Sequence, residues 1–248
     1  MAEADPAGPP SATLVPSSVN EHPRLPNPHP AAGARRRPGG ERRTRAAVMM
    51  RSTVLLVRHA QPFLPHPGGP DDYERSLTDE GEHQAQRLVT ELADADPAAI
   101  YSSPFLRAVR TVAPLARFTG IPIETDNALR EWDSGIGPTP DYARHYCASW
   151  AEPSSARPGG ESLRQLSARA TAILRKLAQR HRGHTIVIGS HGTFISRALV
   201  GFGRRDVGWA FHREMPMPAV YRLDFEDESV RARGPGLPPA APRTRSGL

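Results

Sequence analysis

Arg58-His59 and Ser190-His191-Gly192 each follow a short apolar run, Val54 to Val57 and Thr185 to Ile188, and Arg107 stands a few residues past a third, Ala98 to Tyr101. Guanidinium forks bind phosphate oxygens through paired, charge-assisted hydrogen bonds. An imidazole nitrogen can attack phosphorus and form a covalent intermediate, which divides one hard step into two. Positive neighbours disfavour the charged form of such a ring and so help to keep it nucleophilic. The chemistry that fits is phosphoryl transfer: His59 or His191 carries the phosphoryl group and Arg58 and Arg107 grip it. A leaving alkoxide also needs a proton, which a nearby carboxylic acid can supply. Glu131 in "ALREWDSG" is the choice for that acid, with Glu124, Asp126 and Asp133 as rivals. No metal or cofactor is expected. The other histidines lack a companion at helical metal-ligand spacing with a carboxylate, and Cys147, the only cysteine, leaves no thiolate cluster.

These residues can act together only if the elements around them converge. Thr53 to Val57 reads as a buried strand, and Thr78 caps a helix with Asp79, Glu80 and Glu82 in its first turn. Ala98 to Tyr101 is a second strand, followed by a helix for which Ser103-Pro104 supplies cap and first position and which Pro114 should kink. Ile121 to Glu124 is a short third strand. Residues 132–160 lose periodicity apart from a short helix near Tyr142 to Trp150. Ser162 and Gln165 form a capping box ahead of an amphipathic helix that Gly183 ends. Thr185 to Ile188 is a further strand, "GSHGTFISRALVG" turns into a helix, and Ala219 to Phe225 is an edge strand. Strands alternating with helices imply one α/β domain, a three-layer sandwich with a mainly parallel central sheet covered on both faces. Ligands of such sheets bind outside the carboxyl ends of the strands, where Arg58, His59, Arg107 and His191 fall together with helix N-terminal amides.

The 248 residues suffice for a substantial core, but neither end contributes to it. Residues 1–50 are rich in Pro, Ala, Gly, Ser and Arg, and 231–248 are similar, so both are expected to be disordered around a domain at 51–230, with 132–160 as a cap-like insertion. Met49 and Met50, just before the first strand, are a candidate translation start. The formal charge of +6 is carried by these ends: subtracting +4 for the first 52 residues and +4 for the last 18 leaves the body near −2. The body is therefore no basic module, and specific nucleic-acid binding is not expected. No apolar stretch approaches the length of a membrane span, and a cytoplasmic location is the default.

The motifs together resemble the histidine phosphatases, the phosphoglycerate mutase-like superfamily. "LVRHAQ" resembles its amino-terminal RH motif, which makes His59 the phosphate acceptor and Arg58 its phosphate-binding neighbour. "LTDEGEHQAQRL" and "YSSPFLRAVRT" resemble the next blocks, so that Arg107 matches the second phosphate-binding arginine. "LREWDSG" supports Glu131 as the acid, "GGES" is frequent in these enzymes, and "SHGT" makes His191 the second site histidine. The resemblance runs in order from Thr53 to Leu199. Mutases of this family read RHGE followed by an asparagine; His59-Ala60-Gln61 departs from that and favours a phosphatase.

The expectation is thus a metal-independent phosphatase acting on a small phosphate monoester. The alternatives are a mutase of the same fold, or a non-catalytic phosphoryl-binding regulatory protein that contacts a partner through its arginine-rich ends. His66, His83, His145, His181, His184 and His212 read as surface or loop residues, and Arg164, Arg169 and Arg175 as a solvated helix face. Thr193 either touches phosphate or caps its helix. The aromatics Trp132, Tyr146 and Trp150 line a substrate cap or pack a loop. Substrate choice would rest on residues 62–75 and 132–160, with Arg144 and Arg157 as candidate contacts. Oligomeric state has no signature in the sequence.

Overall fold

A computed structural model of the chain describes residues 51–239 except 67 and 138; the expected amino-terminal extension lies outside the described residues. The β-branched and apolar run Ser52–Arg58 is strand β1. After it come α1 (Asp79–Ala93), β2 (Pro97–Ser102), α2 (Leu106–Thr119), β3 (Ile123–Thr125), a 3-10 turn at Asn127–Leu129 and α3 (Tyr142–Ala151). The chain continues through α4 (Leu163–Arg180), β4 (Thr185–Ser190), α5 (Gly192–Gly201), α6 (Trp209–Glu214), β5 (Ala219–Glu226) and β6 (Ser229–Arg233). The six strands form one sheet in the order β3-β2-β4-β1-β5-β6. β1 to β4 run parallel, whereas β5 and β6 are antiparallel additions.

Side-chain alternation along the strands divides the core into two layers. Val54 and Leu56 of β1 and Ile186 and Ile188 of β4 pack with Leu166, Ile173 and Leu174 of α4 and with Phe194 and Leu199 of α5. The intervening Leu55, Val57 and Val187 face the other way, against Leu92 of α1 and Val112 and Leu115 of α2. Helices therefore cover both faces, the three-layer arrangement expected for a mainly parallel sheet. Gly189 allows α2 close to β4: a Cβ there would stand 3.0 Å from the Ala108 carbonyl oxygen.

The helix signals at Thr78 and Ser162 are realised. The Thr78 hydroxyl accepts the Gly81 N–H at 3.1 Å, and Ser162 and Gln165 form the reciprocal capping box. Three expectations are corrected. α2 begins at Leu106 rather than at Pro104 and extends past Pro114 to Thr119. β5 is not the edge of the sheet, because β6 pairs outside it from Arg222↔Arg233 to Glu226↔Ser229. The segment expected to be loose from 231 thus begins inside a strand, and Tyr221 donates its hydroxyl proton to the Pro235 carbonyl at 3.1 Å. Residues 240–248 lie outside the described residues. Among the described residues no helix is long and apolar enough to cross a membrane.

Candidate active site

The parallel pairing of β1 and β4 sets Arg58 opposite Ser190, and the His59 N–H donates to the Ser190 carbonyl at 3.0 Å. The next residue of each strand is a histidine, so the two rings meet: His59 and His191 lie with ring centroids 5.3 Å apart at 67°. The Ala60 N–H donates to Thr111 Oγ1, whose own hydroxyl donates to the Arg107 carbonyl, fastening the end of β1 to α2. Arg58, His59, Arg107 and His191 therefore share one crevice at the carboxyl edge of the sheet, as their places in the sequence imply.

His59 is buried, with Nδ1 2.8 Å from the Ala60 carbonyl oxygen. A carbonyl only accepts, so Nδ1 carries the proton and Nε2 keeps its lone pair. Burial, then Arg107 and Arg58, lowers this ring to about 3 against the partial offset of the Ala60 bond. His191 is wholly buried at the N-cap of α5, and Ser103 Oγ lies 2.8 Å from its Nε2. Ser103 Oγ also accepts the Phe105 N–H at 3.3 Å. The other ring nitrogen, His191 Nδ1, is buried without a partner. Burial first, and Arg107 and His59 next, hold His191 well below its ordinary value.

Arg58 and Arg107 are each held at one edge and free at another. Arg58 Nη1 donates to the Met215 and Pro216 carbonyls. Arg107, only 2% exposed, forms a forked contact with Asp72: Nη2 to Oδ2 at 3.1 Å and Nη1 to the Asp72 backbone oxygen at 2.7 Å. The Nε atoms of both guanidiniums are buried without a partner. Buried polar atoms are rarely left so. Here three of them, two Nε and one imidazole nitrogen, belong to the four residues of one crevice. Gly192 makes room for this arrangement, since a Cβ there would stand 3.1 Å from Arg58 Nε.

Glu131 follows the 3-10 turn and meets the amino end of α5. Its Oε1 accepts the Trp132 N–H at 2.8 Å and the Phe194 N–H at 3.2 Å, and its Oε2 lies 3.4 Å from the Thr193 nitrogen. Burial raises its pKa, and these amides and Arg107 offset that only in part. The sequence rivals fall elsewhere. Glu124 pairs with Arg180, and Asp126 caps the 3-10 turn through the Ala128 N–H. Asp133 is exposed.

Several residues read otherwise in the sequence support this site. Arg169 is not part of a solvated face: it pairs with Glu161 at 2.7 Å and donates to the Ala128, Arg130 and Glu131 carbonyls, clamping the segment that presents Glu131. Arg164 and Arg175 are exposed as expected. Ser103, expected as a helix cap, is the partner of His191 instead. Trp132 is a core residue whose Nε1 donates to the Glu161 carbonyl at 2.6 Å. Arg157 is occupied by the Ser134 and His145 carbonyls and Ser149 Oγ, whereas Arg144 is exposed. Asp72 was legible only as one of many loop acids, with nothing in its spacing to tie it to Arg107.

His212, expected at the surface, lies among Tyr146, Trp150 and Trp209, with Ser196 Oγ 3.3 Å from its Nδ1. Burial and then Arg58 lower it to about 4. His59, His191 and His212 thus all stay neutral in the fold at pH values where unfolded histidine, near 6.5, gains a proton. Below pH 6.5 the unfolded chain binds the more protons, so stability is full above that value and falls towards pH 4. Each histidine contributes a loss of up to ~1.4 kcal/mol per pH unit. Urea midpoints at pH 7, 6 and 5 should fall steeply, and His212→Gln should flatten the profile by about one histidine's share. An unchanged slope in that variant would contradict the assignment.

Comparison with known proteins identifies the family. The model of the histidine phosphatase superfamily (branch 1) matches residues 54–236. An acid phosphatase of Mycobacterium tuberculosis is 32% identical over 157 residues, which is 59% of this chain and 73% of that protein. The solved mycobacterial glucosyl-3-phosphoglycerate phosphatase superposes with a TM-score of 0.58 at 24% identity, covering 75% of this chain and 97% of that one. For the phosphoglycerate mutase of Bacillus anthracis the TM-score is 0.62 at 16% identity, over 75% and 93%. The chain spans 54% of a probable phosphatase of Schizosaccharomyces pombe and 21% of the transcription factor tau 55 kDa subunit of Saccharomyces cerevisiae. With two strand-end histidines and two arginines in one crevice and the family match running over nearly the whole described fold, the chain belongs to the histidine phosphatase superfamily.

Proposed function

We propose that the protein is a phosphatase that hydrolyses a phosphate monoester through a phosphohistidine at His59. The observation that carries this reading is the buried, neutral His59, whose Nδ1 proton is tied to the Ala60 carbonyl while Nε2 faces an arginine-lined crevice. In the first step the Nε2 lone pair forms the N–P bond as the P–O bond to the leaving group breaks. Glu131, whose carboxyl burial shifts upward, gives its proton to the departing oxygen. In the second step the Glu131 carboxylate takes a proton from water as its oxygen attacks phosphorus. The N–P bond breaks, its electron pair returns to the ring, and inorganic phosphate leaves.

Arg58, Arg107 and His191 hold the transferring group. The unpartnered Nε atoms of the two arginines are donors already positioned for phosphoryl oxygens, so little reorganisation accompanies the charge that develops there. No step calls for a metal, because these groups supply the positive potential. The phosphatase reading over a mutase rests on the residues after His59 and on the phosphatase names of relatives. A small phosphorylated metabolite is the proposed substrate class.

Asp72 occupies Arg107 much as two oxygens of a phosphate would. Burial disfavours its charge, but Arg107 and Arg75 outweigh that and hold its carboxyl below the usual range. In this reading a substrate phosphate competes with Asp72 for Arg107. Asp72→Ala is expected to tighten inhibition by inorganic phosphate, roughly two- to fivefold, the scale of one partly exposed ion pair. An unchanged or weaker inhibition constant would show that Asp72 does not compete.

The test of the function is a panel of phosphate monoesters incubated with the purified protein in EDTA, with free phosphate followed beside a His59→Ala control. Release by the wild-type protein alone supports the reading. Transfer of phosphate between positions of one substrate without release overturns it in favour of a mutase, and binding without either leaves a phosphoryl-binding protein.

A further inference from the structure

α5 carries His191 at its amino end and, six residues further on, Arg197. At 1.5 Å per residue these stand about 9 Å apart along the helix. Arg197 is 7% exposed, yet burial lowers its pKa with no carboxylate near to oppose the effect. Its Nε donates to the Leu163 carbonyl at 3.2 Å and to Ser167 Oγ at 3.0 Å, and its guanidinium lies 5.1 Å from the Trp150 ring. Its two terminal nitrogens have no hydrogen-bond partner among the described residues. Buried charges are ordinarily paired.

Arg197 lines a cavity of about 650 Å³ between α3, α5 and residues 203–209, which also receives Arg204, Arg205, Trp150 and Trp209. Three arginines and no carboxylate line it, and none of Arg58, His59, Arg107, Glu131 or His191 does. Arg204 is matched by Asp206 at 2.6 Å, which leaves Arg197 and the exposed Arg205 as unmatched positive charges. Trp150 Nε1 is a buried donor without a partner. A simple inorganic anion would satisfy the charge but leave the indoles and Val200 and Val207 facing water.

We propose that this cavity is a second binding site, separate from the catalytic crevice, for an organic anion with a planar apolar group. The acid group meets the terminal nitrogens of Arg197 and the Arg205 guanidinium, and the ring lies against the indoles of Trp150 and Trp209. Cation–π and stacking geometry favour aromatic over aliphatic anions there.

Cys147 also lines the cavity and is the only cysteine of the chain, so alkylation of its thiol reports on this place alone. The experiment titrates 2-naphthalenesulfonate against the rate of Cys147 modification by iodoacetamide in the full-length protein, with tryptophan fluorescence followed in parallel. Saturable protection is expected, with the neutral 2-naphthalenemethanol weaker by about tenfold or more, the scale of one charged hydrogen bond. Arg197→Gln should abolish protection. Arg205→Glu, an exposed change that leaves the core intact, should weaken it severalfold. Arg107→Ala should be protected like the wild type. Equal protection by the neutral compound, full protection in Arg205→Glu, or loss of protection in Arg107→Ala would overturn the proposal.

Discussion

The His59→Ala protein is expected to fold and to lose turnover by at least about 10⁴-fold, the scale on which removing a covalent nucleophile acts. The size of the effect follows from what the crevice keeps. Arg58, Arg107 and His191 would still bind the phosphoryl group, so inorganic phosphate should inhibit or bind the variant nearly as well as the wild type. What disappears is the Nε2 lone pair of a ring that burial, Arg107 and Arg58 keep neutral. The fold should lose little, on the order of 1–3 kcal/mol, because the Ala60 carbonyl is left without its donor and a small void opens. Steady-state release from the best substrate, with circular dichroism as the control for folding, checks this. Appreciable turnover by the folded variant would contradict the nucleophile.

Glu131→Gln is expected to lower kcat by about 10²–10⁴-fold, the range for a positioned general acid. The amide oxygen can still accept the Trp132 and Phe194 N–H groups, so the segment stays in place while the transferable proton is lost. Leaving-group dependence separates this role from mere packing. An ester with an acidic phenol needs little protonation, so p-nitrophenyl phosphate should give a burst of phenol from the variant followed by slow turnover, since water activation still fails. Alkyl esters should show no burst. The pH profile carries a second sign. His59 stays neutral far below pH 6.5, whereas Glu131 loses its proton above the usual carboxyl range. Wild-type activity should therefore hold into acid and decline as pH rises through the Glu131 pKa, and the variant should lack that decline. A variant with a uniform deficit across leaving groups and an unaltered pH profile would assign Glu131 a structural role.

The parts of the fold that were legible are those in which one local pattern decides the outcome. Apolar β-branched runs mark β1 and β4, and because parallel strands present their carboxyl ends together, their order alone brings Arg58-His59 and His191 to one edge. The capping residues Thr78 and Ser162 act within one turn, and both caps form. What escaped depends on contacts between distant segments. Arg169 lies beside the apolar stripe of α4 and looks solvated by its period, but Glu161 and three carbonyls from residues 128–131 fold onto it. His212 sits on a six-residue helix too short to show a period, and Tyr146 and Trp150 of α3 together with its own helix's Trp209 bury it. β6 reads Ser-Val-Arg-Ala-Arg, which is polar at alternate positions and has none of the apolar weight of a core strand. It forms because β5 offers it a free edge.

The most direct test of the central claim is to mix enzyme with substrate carrying a radiolabelled phosphoryl group, quench during turnover in alkali, and locate the label by peptide mapping. Phosphohistidine is stable to base and labile to acid, and the account predicts label on His59 that forms and decays at rates consistent with turnover and is absent from His59→Ala. Phosphate release by the wild-type enzyme with no label on His59, or with label on His191 instead, would contradict it.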